Sequence, residues 1–64
     1  MSIVRVSALQ QAADRMRYRA NEYEIRAAQE KEHDNTLVAL HMATVAVALM
    51  EVAAILDHES EASE

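Results

Sequence analysis

Three observations predict an all-α fold, and within it an antiparallel helical hairpin. The chain of 64 residues has no Gly and no Pro, which removes the usual turn and breaker residues and argues against a β-rich or loop-rich fold. It is rich in Ala, Gln, Glu, Arg, Met and Leu, all good helix formers. Its apolar residues recur at alternating intervals of three and four. One small domain, residues 1–58, is expected, with helices over about 7–32 and 36–58 and an acidic, partly disordered tail at 59–64. A chain this short buries little surface and usually needs a staple or a partner. With no Cys, disulfides and thiolate metal sites are excluded and the redox compartment stays open.

The first helix is expected to begin at Ser7. Ser7 and Gln10 have the spacing of a capping box, hydroxyl and amide each serving a free backbone N–H. Residues 2–6 (SIVRV) are largely β-branched and read as extended chain or as one more helical turn. No signal peptide is expected from MSIVRVSALQQ, which lacks a long apolar core. Further on, Ala13, Ala20 and Ala27 recur every seventh residue and alternate with Leu9, Met16 and Tyr23. That is the a/d pattern of a helix–helix seam.

A break near 33–36 follows from heptad phase. Carried on without interruption, the seam would bury His41, Thr44 and Glu51. The apolar seam of the second segment is instead Ala39, Met42, Ala46, Leu49, Ala53 and Leu56. Reversal of the chain at HDNT explains the shift, with Asp34 or Asn35 as N-cap of the second helix. Folded back, Ala20 falls near Leu49 and Ala27 near Met42, while Tyr23 falls near Ala46 and Met16 near Ala53. Small residues then face large ones, as close packing requires.

The second helix stays too apolar once its seam is used. Val38, Val45 and Val52 line one side, and Leu40, Val47 and Met50 another. His41, Thr44, Glu51 and His58 form a narrow polar strip. A helix apolar nearly all round lies in lipid or among neighbours. Residues 37–56 have the length of a membrane span, which would run N-in. Nine Leu, Ile and Val residues favour insertion by about 0.3–0.6 kcal/mol each, whereas a charge near the centre, here Glu51, opposes it by about 2.5–3.5 kcal/mol. The flanks EKEHDN and DHESE lack basic anchors and aromatic belts. Burial by protein is the better account. A cytoplasmic homodimer, a four-helix bundle with Val38, Leu40, Val45, Val47, Met50 and Val52 at its interface, is expected.

Charge is uneven. Residues 1–29 hold five arginines against three acids, net +2, and residues 30–64 hold one lysine against eight acids, net -7. Arg15, Arg19 and Arg26 share a face of the first helix with Glu22, and Arg17 flanks them. In length and hairpin shape the chain resembles the small dimeric RNA-binding hairpins of the Rop type. The resemblance implies an RNA-binding hairpin dimer, and the arginines themselves have the spacing of a stripe that can lie along phosphates. Glu22 and Glu24 interrupt the stripe, and the overall charge of -5 favours a solvated face with a helix-stabilising Glu22–Arg26 pair.

Tyr18 and Ile25, seven apart and opposite the seam, read either as a protein-docking patch beside those arginines or as residues that pack on the other hairpin or in a bundle of higher order. No two of His33, His41 and His58 stand three or four apart, so neither a metal site nor a cofactor is expected. His41 and Glu51 are about 15 Å apart along a helix. Glu51 has no second carboxylate or His beside it, and no catalysis is expected. The sequence therefore reads as a non-enzymatic regulatory or adaptor protein. Its expected partners are a second copy and another protein, met through Arg15, Tyr18, Arg19, Glu22, Ile25 and Arg26. Nucleic acid and membrane are the alternatives.

Overall fold

The computed structural model describes residues 3–62. Two helices, α1 (Ile3–Glu32) and α2 (Thr36–Ala62), pack against each other as an antiparallel hairpin. The hairpin is a rod, 50 × 13 × 9 Å between Cα extremes. Its radius of gyration of 14.7 Å compares with about 11 Å for a compact domain of this length.

The seam runs the whole length of the pair. In α1, Val6, Leu9, Ala13, Met16, Ala20, Tyr23, Ala27 and Glu30 alternate by three and four, and all are buried or half-buried. In α2 the matching row is Ala39, Met42, Ala46, Leu49, Ala53, Leu56 and Ser60. Alanines set the separation: Ala13, Ala20, Ala46 and Ala53 are at most 1% exposed. No larger side chain is fully buried among the described residues. Two helices make a single layer, so Leu, Met and Tyr on the seam stay half-open at their flanks.

The loop meets the demands of two helix ends without glycine. Asn35 N–H donates to the Glu30 carbonyl (2.9 Å) and Asp34 N–H to the Lys31 carbonyl (3.2 Å). These are the two bonds of a Schellman motif. Its left-handed residue is Asp34, at φ 60°, a region that Asp enters more readily than most residues. Asn35 then turns the chain into α2, its carbonyl accepting from Ala39 N–H at 2.9 Å. Of the two expected caps, Asn35 is therefore the N-cap and Asp34 closes α1. The Asn35 amide also donates to Glu30 Oε2 at 2.6 Å, so Glu30 holds the turn by backbone and side chain together.

Two boundaries differ from expectation. α1 begins at Ile3, not Ser7, and Ser7 Oγ accepts from Gln11 Nε2 (3.4 Å) instead of capping a helix. The reason is the seam: Val6 is half-buried three residues before Leu9, and it draws the β-branched start into the helix. α2 likewise continues to Ala62 because Ser60, seven residues after Ala53, is buried on the same row. Of the expected disordered tail, 59–62 is helical, and 63–64 lie outside the described residues.

Candidate macromolecular interface

One ion-pair cluster fixes which sides of the two helices lie together. Arg17 donates through Nη1 to Asp57 Oδ2 and through Nη2 to Asp14 Oδ1, each at 2.6 Å. Hydrogen bonding to Asp14, then to Asp57, raises the Arg17 pKa above its ordinary value. Arg17 and Asp57 each sit four residues after a seam alanine, Ala13 and Ala53. Side chains at that offset share one side of the hairpin, and those one residue before a seam alanine share the other.

The first side joins Leu40, Ala43, Val47, Met50 and Ala54 of α2 to Asp14, Arg17, Asn21, Glu24 and Lys31 of α1; we call it the methionine side. The second joins Val38, Val45 and Val52, with Ala48 and Ile55, to Arg5, Arg15, Arg19, Glu22 and Arg26; we call it the valine side. Arg17 on the methionine side is ion-paired within the chain. Among the described residues no arginine on the valine side has an ion pair, so four cations lie there beside a row of valines.

The expected interface residues are thus exposed but divided. Leu40 (64%), Val47 and Met50 lie on the methionine side, and Val38 and Val52 on the valine side, all open to solvent. Val45 is half-buried against α1. One neighbouring helix cannot cover all six. The expected docking residues, in contrast, come together. Arg15, Arg19, Glu22 and Arg26 lie on the valine side, and Tyr18 (68% exposed) and Ile25 (52%) border them on the outer edge of α1. Arg19, Glu22 and Arg26 line an open surface depression with Tyr23, and Arg15, Tyr18, Arg19 and Glu22 line another with Asp14. Arg5 and Tyr23 were not among the expected contacts. The signal for Arg5 was its spacing, fourteen residues before Arg19; Tyr23 is a seam residue whose edge reaches this side.

The polar strip of α2 faces water. His41, Thr44, Glu51 and His58 are exposed, and Thr44 Oγ1 donates back to the Leu40 carbonyl at 2.8 Å. Among the described residues there is no group of three or more His, Cys, Asp or Glu placed to hold a metal ion. α2 is long and apolar enough to cross a membrane, and only 11% of its apolar window is buried in the hairpin. Comparison with protein-family models, curated proteins and solved structures finds no match to this chain.

Proposed function

We propose that the hairpin is the protomer of a homodimeric four-helix bundle, a non-enzymatic cytoplasmic adaptor or regulator that binds another protein. The observation that carries this reading is that only 11% of the residues in the apolar α2 window are buried in the hairpin. A helix with apolar residues on both flanks of its seam needs further neighbours, and a second copy is the commonest source of them. The surface area supports the same reading. The hairpin exposes 4931 Å², about 800 Å² more than a compact protein of its mass. That surplus matches the roughly 800 Å² each partner buries in a standard interface.

The partner-binding face is the arginine and aromatic surface of α1: Arg15, Tyr18, Arg19, Glu22, Ile25 and Arg26. It offers cations without ion pairs beside exposed Tyr and Ile, the composition of an interface core and rim. A protein target is favoured over RNA because Glu22 lies within the arginine cluster and the chain is acidic overall, with a net charge of -5. Membrane insertion conflicts with the hairpin. α1 packs along α2 through the whole seam. Arg15, Arg17, Arg19, Glu22, Glu24 and Arg26 would then have to enter lipid, or α1 would have to leave its seam.

The test is light scattering on size-separated protein prepared without detergent, followed by affinity capture with the wild type and an Arg15→Glu/Arg19→Glu variant. A two-chain helical particle that retains a defined protein, with capture lost in the variant, is the expected result. Material that requires detergent, or capture of nucleic acid with a steep salt dependence, would overturn it.

A further inference from the structure

Resting on the reading that the hairpin assembles with copies of itself, we infer that the contact joins unlike sides, the methionine side of one copy covering the valine side of the next. Charge is the first reason. The methionine side carries Asp14, Glu24, Asp57 and Glu61 against Arg17 and Lys31, a net -2. The valine side carries Arg5, Arg15, Arg19 and Arg26 against Glu22 and Glu59, a net +2. Glu59 and Glu61 take their sides from the buried seam residue Ser60, which they flank. A two-fold contact lays identical surfaces together, so it would gather a charge of -4 or +4. Contact between unlike sides cancels to zero. Complementary potentials of this kind steer encounter and disfavour the like-charged alternatives.

Side-chain length is the second reason. The methionine side presents Leu40 and Met50, long side chains at least half exposed, whereas the valine side presents the shorter Val38 and Val52, less than half exposed. Pairing like sides would set long against long, or short against short. Unlike pairing sets the long row against the short one, the alternation that fills an interface at native density. Such a contact is heterologous, using a different surface on each copy. A pair built this way keeps one valine side and one methionine side uncovered, so it is the smallest member of a series that adds copies as concentration rises. However many join, one valine side stays open at one end. Its Arg15, Arg19 and Arg26 remain available to the partner protein.

Complementation between two variants tests this. Val47→Lys places an ammonium in the apolar row of the methionine side, and Val52→Lys does the same on the valine side; the cost of burying an unpaired charge blocks either row. Both valines are exposed, so neither change enters the seam, and circular dichroism checks the helicity of each variant. Mass is read by light scattering on the wild type, on each variant alone and on an equimolar mixture. The expected result is a two-chain wild type that grows at higher concentration, two monomeric variants, and a mixture that forms a two-chain particle and stops there. The mixture recovers because each variant supplies the side that the other lacks. One variant that stays dimeric while the other dissociates, with nothing gained on mixing, would overturn this inference and leave the dimer reading standing. So would two variants that stay monomeric when mixed, or a wild-type mass fixed at two chains over about a hundredfold range of concentration. A monomeric wild type would overturn both.

Discussion

Replacing Ala20 with Leu tests whether alanine sets the distance between the helices. Ala20 is 1% exposed on the seam between the helices, so three added carbons have no space to enter. Overpacking of this kind destabilises by about 1–3 kcal/mol. Leu is nearly as good a helix former as Ala, so propensity contributes only a few tenths of a kcal/mol. A protein of this length has a total stability of roughly 3–10 kcal/mol, so the loss is a large fraction of the whole. At about 4–8 °C per kcal/mol for a small domain, the midpoint of thermal unfolding falls by about 4–24 °C. The assay is circular dichroism on wild type and variant at one fixed protein concentration, because assembly makes the midpoint depend on concentration. Ala48→Leu, an exposed position on the same rod, is the control and shifts the midpoint little. An Ala20→Leu protein as stable as the wild type would refute the close approach of the two axes.

Four further outcomes follow. Asp34→Gly relieves the left-handed φ of 60° and raises stability by up to about 1 kcal/mol, whereas Asp34→Val lowers it by about 1–2 kcal/mol; urea titration reads both. Asn35→Ala removes both the cap residue and its 2.6 Å bond to Glu30 and lowers stability by about 0.5–2 kcal/mol in the same titration. Arg17→Ala lowers stability by less than about 1 kcal/mol, and the difference shrinks in high salt, because its partners Asp14 and Asp57 are 74% and 41% exposed. Of Val47→Lys and Val52→Lys, at exposed positions on the two flanks of α2, at least one dissociates the proposed dimer in light scattering.

Much of the hairpin was legible in the sequence because heptad spacing is a direct consequence of helix geometry. The five-residue phase shift between Ala27 and Ala39 located the reversal without any glycine. The loop itself was harder to read. Nothing in the letters HDNT says that Asp34, not Asn35, takes the left-handed conformation; that follows from which amides reach Glu30 and Lys31. Ser7 misled for a related reason. A capping box is a local pattern, and the long-range gain from seating Val6 and Leu9 on the seam outweighs it. Ser60 was passed over because a polar letter in an acidic stretch hides its place seven residues after Ala53. The two flanks of α2 were told apart by spacing alone, but which residues of α1 join each of them shows only when Arg17 is seen to touch Asp57.

The narrow seam has a consequence for how this chain can change over time. Among the described residues only Ala13, Ala20, Ala39, Ala46, Ala53 and Ser60 are buried. Each must stay small, and the spacing between them within each helix must stay at multiples of seven. The exposed positions of the two helices can drift without dissolving the hairpin. Descendants of such a protein keep their shape while their surfaces diverge, and kinship among them is recorded in the rhythm of small residues more durably than in overall identity.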